Sequence, residues 1–202
     1  MLKVPKIVLS LLFLSAVYGP VCAEMTATTE KGEKVILRED GTWRFREPFP
    51  AKGINPKASA KIEMLRGKAV VYYRPDRWQG LKEAQPGRYE LTHRDGDVNG
   101  LVIAERLQMP LDTLRSVALN NAREASSDIK VVREERRVVN GQEVLFLQLE
   151  GTISGIPIVF MGYYYSGTAG AVQIVAYTGQ NLLKEYQADM LEFLGGFTVI
   201  QK

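Results

Sequence analysis

Strand-like alternation of apolar and polar residues is strongest over positions 129–178, where no gap is long enough for a helix. The runs are Val131–Val139, Gln142–Glu150, Ile156–Tyr165 and Ala171–Tyr177. Asn140-Gly141 separates the first two runs, and this dipeptide is typical of a two-residue hairpin turn because both turn positions need a positive φ. The pattern predicts an antiparallel meander at the centre of one domain.

The composition of each run indicates how deeply it is buried. Val144–Leu149 and Ile156–Tyr165 are largely apolar on both faces, so we expect them to be central strands covered on both sides. The run Tyr163–Tyr165 is interpreted as core rather than as a ligand groove. In Val131–Val139 the middle is the charged segment Arg133–Arg137, which would be costly to bury. We therefore expect this strand at a solvated sheet edge, not at an anion site.

Further elements precede and follow the meander. Predicted strands cover Lys68–Tyr73, Arg88–Arg94, Leu101–Leu107 and the short run Phe197–Ile200. Pro110 suits the first position of a helix whose apolar stripe runs from Leu111 to Ala125. A second helix is predicted from about Asn181 to Leu194, and Gly195-Gly196 supplies its left-handed end.

Residues 24–65 are predicted to form a short hairpin followed by a linker. Lys34–Leu37 and Thr42–Phe45 flank an Asp-Gly turn, so residues 24–46 are predicted to form a β-hairpin. Asp40-Gly41-Thr42-Trp43 resembles a short motif near the beginning of several bacterial exported proteins. Residues 47–65 are rich in proline and glycine and are interpreted as a linker, with a helical turn or two over Ala58–Leu65.

The first 23 residues have the anatomy of a secretory signal peptide. Lys3 and Lys6 precede an apolar run from Ile7 to Val17, and small residues permit a cut after Ala23. The run is shorter than the ~20 apolar residues that span a bilayer. Its removal takes two of the 26 basic residues and none of the 23 acidic ones, so the net charge falls from +3 to +1. A nearly neutral chain lacks the basic surface that binds nucleic acid.

Cys22 is the single cysteine, and it lies inside the predicted signal. The mature chain would therefore have no disulfide, thiolate nucleophile or cysteine-based zinc site. Cys22 as the lipidated residue of a lipoprotein is the alternative. Gly19-Pro20-Val21 fits that processing poorly, so we expect a cleaved periplasmic or secreted protein.

The order of the elements and one local motif resemble the PsbP/Mog1/DcrB-like domain over about residues 66–200. The motif is Tyr73-Arg74-Pro75-Asp76-Arg77-Trp78 at the end of the first strand, and Asn140-Gly141 and Gly195-Gly196-Phe197 also stand where the pattern expects them. The resemblance implies an α+β fold, with a central antiparallel sheet packed against two main helices. Members include accessory proteins of photosynthetic complexes, partners of a small GTPase and bacterial envelope proteins, and they share no catalytic constellation.

Candidate chemistry is sparse. The chain contains no nucleophile elbow, P-loop or dinucleotide fingerprint, and its single histidine, His93, is expected at the surface. Asp95, Asp97 and Asn99 alternate before Gly100 as in the first half of an EF-hand loop, but position 12 is Arg106. A hairpin turn is the preferred interpretation, and a weak calcium site is the alternative.

The sequence therefore predicts an exported, non-enzymatic accessory or interaction module whose partner is another envelope protein, with no catalytic residue and no cofactor. The alternative is a periplasmic protein that binds a small ligand or calcium through the 95–100 loop. An enzyme that uses carboxylates alone ranks third. If a ligand binds, we expect it at that loop or at the sheet face that the helices leave uncovered.

Overall fold

The computed structural model describes residues 54–200 and, before them, the strand segments 25–28, 34–37 and 43–45. The predicted signal peptide and Cys22 lie outside these residues. The chain divides into two compact units, Met1–Pro48 and Phe49–Lys202.

The first unit contains a small antiparallel sheet of three strands. These are β1 (Met25–Thr28), β2 (Lys34–Leu37) and β3 (Trp43–Phe45), with β2 in the middle. The predicted hairpin of residues 24–46 corresponds to β2 and β3, which pair antiparallel, and β1 adds a third strand that was not predicted, through pairs such as Met25 with Leu37. A third strand suits this segment physically, since a two-stranded hairpin alone is marginal in water.

The second unit is α+β, as predicted. Its elements are β4 (Ala60–Met64), β5 (Ala69–Tyr73), β6 (Trp78–Gln85), β7 (Arg88–His93), β8 (Val98–Glu105), α1 (Leu111–Ala125), β9 (Lys130–Val139), β10 (Gln142–Ile153), β11 (Ile156–Gly167), β12 (Gly170–Gly179), α2 (Leu183–Gly195) and β13 (Phe197–Val199). Seven strands form an antiparallel sheet in the order β6-β7-β8-β12-β11-β10-β9, and three form a smaller sheet in the order β13-β5-β4. Neither helix in the described part of the chain combines the length and apolar character needed to cross a membrane.

The predicted meander is confirmed as strands β9 to β12. Asn140 and Gly141 have φ of +48° and +79°, as the hairpin turn between β9 and β10 requires. The side-chain nitrogen of Asn140, Nδ2, also donates to the carbonyl oxygens of Gly195 at 2.8 Å and Phe197 at 2.7 Å. The turn residue thus ties the meander to the end of α2 and the start of β13.

Two apolar layers cover the large sheet unequally. On one face, α2 and the small sheet bury a core that reaches from Trp78 and Leu91 to Phe146 and Phe197. On the other face, α1 buries Leu114 and its neighbours against residues of β10, β11 and β12. Within the described residues, that second core includes no side chain from β6, β7 or β8. Residues 54–200 therefore leave the α1 face of these three strands uncovered.

The segment Ala60–Met64 is a strand, not the predicted helical turn within a linker. Lys61 and Glu63 are exposed, whereas Ile62 and Met64 are only 2% exposed, and this period of two is that of a half-buried strand. Strand β6 was not predicted either. Its exposed residues 79–85 give no apolar alternation, because only Trp78 at its start is buried.

Strand β9 lies at the sheet edge as predicted, but the expectation of a solvated charge cluster is wrong for one of its faces. The side chains of Arg133, Glu135 and Arg137 are 11%, 14% and 8% exposed. Glu135 pairs with both arginines, and the Arg137 guanidinium lies 3.6 Å from the ring centroid of Phe146. Cation–π contact and ion pairing together offset the cost of burying these charges.

Candidate functional site

The uncovered part of the sheet forms a shallow groove across β6, β7, β8 and β12, with a volume of about 170 Å³. Its polar lining residues are Lys82, Arg88, Glu90, Thr92, Asn99 and Tyr177. Alternate residues of β7 face the groove because side chains in a strand point to opposite faces in turn. The intervening Leu91 and His93 belong to the buried side.

The charges in the groove are arranged around one carboxylate. Glu90 lies 3.0 Å from Nζ of Lys82 and 3.2 Å from Nε of Arg88. These two hydrogen bonds lower the pKa of Glu90, so it is ionised at neutral pH. One carboxylate between two cations leaves a local excess of one positive charge. The groove therefore favours a partner that carries an acidic group.

Tyr177 provides the aromatic part of the groove. Its ring is tilted against Phe160, with the centroids 5.4 Å apart. Burial raises the pKa of Tyr177, so the phenol keeps its proton at neutral pH. A tyrosine fixed by packing beside an arginine is a residue combination that is enriched at protein interfaces.

The outer wall of the groove is an irregular edge strand. The pairing of β6 with β7 shifts register between Gln79 and Lys82 and again between Glu83 and Gln85. Gly80 lies in the first irregularity with φ +68°, a conformation that favours glycine. Such bulges turn an edge away from regular pairing and re-aim its side chains. Here they leave β6 unsuited to extension of the sheet by a further strand.

The structure places Asp95 and Asp97 in the hairpin turn between β7 and β8, which is the preferred interpretation of the sequence, and it places Asn99 within β8. Asp95 Oδ2 lies 3.4 Å from His93 Nδ1, and Asp97 Oδ2 accepts a hydrogen bond from the Tyr186 hydroxyl at 3.3 Å. Asn99 pairs with Tyr177 across the strands and lines the groove on the opposite face from α2. The two aspartates thus contact the α2 side, and Asn99 does not join them. Calcium binding stays a prediction.

His93 is fully buried, so the prediction of a surface histidine is wrong. Its ring is enclosed by Trp78 and Tyr186, with centroids 5.5 and 5.3 Å away. Burial raises the pKa of Tyr186 to about 12. Within residues 54–200, no three His, Cys, Asp or Glu side chains come together in a way that could hold a metal ion.

Only some of the groove residues could be predicted from the sequence. Arg88, Glu90 and Thr92 form a polar alternation in a run that was predicted as a strand. Lys82 could not be added to them because β6 has no apolar alternation, and Tyr177 could not because β12 lies beside β8 only through a long-range pairing. The Tyr163–Tyr165 run is core as predicted, with all three rings at most 7% exposed.

Comparison with solved structures identifies the fold. The solution structure of cyanobacterial PsbP (CyanoP) from Synechocystis sp. PCC 6803 matches with a TM-score of 0.53 and 13% identity, over 76% of this chain and 99% of that one. A crystal structure from Bacteroides thetaiotaomicron matches with a TM-score of 0.50 and 12% identity, over 72% of this chain and 50% of that one. LpqN of Mycobacterium tuberculosis, described as involved in cell envelope biogenesis, has a TM-score of 0.40 and 8% identity, over 66% and 83% of the two chains.

No family model matches the chain, and no curated protein matches it. The PsbP-like fold that the sequence predicted is confirmed by the match to cyanobacterial PsbP. At this level of identity the likeness concerns the fold alone, and fold does not determine function.

Proposed function

We propose that the protein is a non-enzymatic interaction module of the bacterial envelope, and that it binds another envelope protein in the groove of β6, β7, β8 and β12. The observation that carries this proposal is the incomplete cover of the large sheet. Helix α1 packs on β10 to β12 and leaves the neighbouring strands open, with Arg88 and Tyr177 in the floor of the groove. Arginine and tyrosine are enriched among residues that dominate binding energy at interfaces.

The charge of the groove supports an acidic partner segment. Lys82 is 66% and Arg88 is 39% exposed, so both cations remain accessible although each contacts Glu90. An exposed ion pair gains little from its own contact, typically ~0–1 kcal/mol. Arg88 can therefore exchange Glu90 for a carboxylate of the partner at small cost, and a bidentate pair would then fix the orientation of the partner.

The proposal of a non-enzymatic role has support from the position of the one histidine. Histidine is the residue that most often serves as a general base, but His93 is fully buried behind Trp78 and Tyr186.

The proposal of an envelope location has support from the N-terminal sequence, in which Lys3 and Lys6 precede an apolar run and small residues.

Site-specific photo-crosslinking in cells that make the protein tests this function. A photoreactive residue placed at Lys82 should give a crosslinked adduct of one reproducible mass. The control places it at Glu124, an exposed position of α1 away from the groove. Charge reversal by Arg88→Glu should reduce the adduct at position 82. Adducts at both positions alike, or at neither, would refute docking in the groove.

Location is tested separately by fractionation. N-terminal sequencing of the protein from the envelope fraction should begin at Glu24, the residue after the predicted cut. Recovery of the uncut chain from the cytosol would contradict the envelope assignment. Docking in the groove would still be tested by the crosslinks alone.

A further inference from the structure

A second and larger cavity lies at one end of the sheet, on the other face of the β6–β7 hairpin from the groove. We name it the turn pocket; its volume is about 580 Å³, and its lining includes Leu65, Arg66, Glu83, Tyr89 and Arg106. Small-molecule sites in proteins usually have volumes of about 300–1,000 Å³. The groove proposed for a protein partner does not use these residues.

The turn that carries Arg66 has an unusual backbone. Leu65, Arg66 and Gly67 have φ of +54°, +60° and +77° in succession. The left-handed region is unfavourable for residues with a Cβ, and two of these three have one. Such strain persists only where surrounding contacts hold it, and it is concentrated at binding and catalytic sites.

Backbone hydrogen bonds and core packing hold this turn in place. The Gly67 amide donates to the Met64 carbonyl at 3.0 Å, and the Leu65 side chain packs against the main core. Gly170 leaves the space that Leu65 needs, since a Cβ there would lie 3.2 Å from a Leu65 methyl carbon. With Leu65 anchored inward, the next residue, Arg66, is exposed at the mouth of the turn pocket.

The opposite wall is held by a close approach of two backbones. Ala104 donates its amide to the Gly87 carbonyl at 2.8 Å, and a Cβ on Gly87 would lie 2.5 Å from the Ala104 oxygen. The tip of the β6–β7 hairpin is thereby fixed against β8. Tyr89 and Arg106 follow from these two strands and line the pocket.

The carboxylates of the turn pocket already have partners, whereas its arginines do not. Glu83 accepts the Gly87 amide at 2.9 Å, and Glu63 lies 2.5 Å from Nζ of Lys61. Among residues 54–200, neither Arg66 nor Arg106 has a carboxylate within ion-pair distance. Two guanidinium groups are therefore available to an anion, and each offers the planar donor pair that fits a carboxylate or a phosphate.

We propose that the turn pocket binds a small organic anion. Arg66 and Arg106 hold its carboxylate or phosphate group, and its apolar body lies against Leu65 and the ring of Tyr89. Burial raises the pKa of Tyr89, so its phenol is neutral and adds no repulsion toward the anion. The strained turn presents Arg66 before the ligand arrives, which reduces the entropy lost on binding.

Titration of the full chain by nuclear magnetic resonance tests this proposal. The probes are octanoate and octyl phosphate, with acetate and inorganic phosphate as head-group controls and octanol as the apolar control. The amides of Gly67 and Gly87 report on the two walls, and the amide of Gly155 in a distant turn serves as an internal reference. Octanoate, octyl phosphate or both should shift the first two signals saturably at millimolar concentration and leave the third unchanged. Which of the two binds more tightly identifies the head group.

Two double variants distinguish specific contacts in the turn pocket from a general effect of positive charge. Arg66→Gln combined with Arg106→Gln should weaken the affinity about tenfold or more, because both charge-assisted contacts are lost. Arg123→Gln combined with Lys130→Gln removes two exposed cations elsewhere and should leave the affinity unchanged. A thermal melt confirms that both double variants remain folded. The proposal is overturned if no probe shifts the signals, if both double variants bind like the parent, or if octanol shifts the signals as strongly as the anions do.

Discussion

His93 Nε2 on strand β7 lies 3.5 Å from Oδ2 of Asp189 on helix α2, in the interior of the second unit. This nitrogen is buried and makes no hydrogen bond to any described residue. The other ring nitrogen, Nδ1, accepts one long hydrogen bond from the Asp95 amide at 3.4 Å, and the ring fills the space between Trp78 and Tyr186. We expect His93→Ala to lower the free energy of unfolding by about 2–4 kcal/mol, because it opens a cavity at the junction of helix and sheet.

Urea unfolding followed by tryptophan fluorescence measures this loss, since Trp78 contacts the imidazole edge to face. Thr92→Ala is the matched control, because the adjacent residue of the same strand faces the groove. The control should cost less than about 1 kcal/mol. Equal losses in the two variants would contradict the space-filling role of His93.

Asn140 supplies a second test of packing between elements. Its side chain donates to two carbonyl oxygens, and its φ of +48° is one that glycine adopts freely. Asn140→Gly keeps the turn and removes both hydrogen bonds, at about 0.5–1.5 kcal/mol each. Asn140→Ala should cost about 1 kcal/mol more, because alanine is strained in the left-handed region. Urea denaturation measures the free energy of unfolding of both variants, and the exposed Asn121→Ala serves as the control. A glycine variant as stable as the parent would mean that the two hydrogen bonds contribute nothing.

The sequence predicted those parts of the fold that depend on neighbouring residues. The meander was predictable because its alternation and the turn at Asn140-Gly141 are local signals. His93 was misplaced because an apparent strand end beside polar residues suggested exposure, whereas β7 alternates and turns His93 toward α2. Ala60–Met64 has the same alternation, but the proline-rich segment before it favoured a linker.

The candidate site was less predictable than the fold, for a topological reason. Lys82, Arg88, Asn99 and Tyr177 come from four strands, and β12 reaches β8 only after the chain has passed through α1 and the meander. Neither spacing nor composition encodes that juxtaposition. The sequence did indicate an uncovered sheet face as a better place for a ligand than the meander; the groove lies on such a face, but it also includes Tyr177 from the last strand of the meander.

Calcium is expected to leave the thermal stability unchanged at millimolar concentration. The Asp97 carboxylate already accepts the Tyr186 hydroxyl, and Asn99 lies on the other face of the sheet. Convergent oxygen ligands are what a calcium site requires. Differential scanning calorimetry with and without calcium measures the midpoint. A saturable rise that Asp97→Asn abolishes and Asp112→Asn preserves would instead establish the 95–100 loop as a metal site.

Asp128 should make the stability of the second unit depend on pH in the acid range. The Ser126 hydroxyl and the Thr152 amide donate to the same carboxylate oxygen, and these hydrogen bonds lower the pKa of Asp128 to about 2. An unfolded aspartate has a pKa of about 3.9. Because the folded value is the lower one, the carboxylate stabilises the fold at pH values above about 4, and this contribution disappears as the pH falls toward 2.

Comparison of the parent with Asp128→Asn by urea unfolding across this range tests the sign. The variant should be less stable near pH 6, and the two proteins should converge as the pH falls from about 4 to about 2. Glu124→Gln, which removes an exposed acidic side chain of α1, controls for the loss of one charge. The carboxylate fastens the α1–β9 connection to β10, where Gly151 leaves room for Ser126. A stability difference that grows toward low pH would mean that ionised Asp128 destabilises the fold. The hydrogen bonds from Ser126 and Thr152 would then not stabilise this connection.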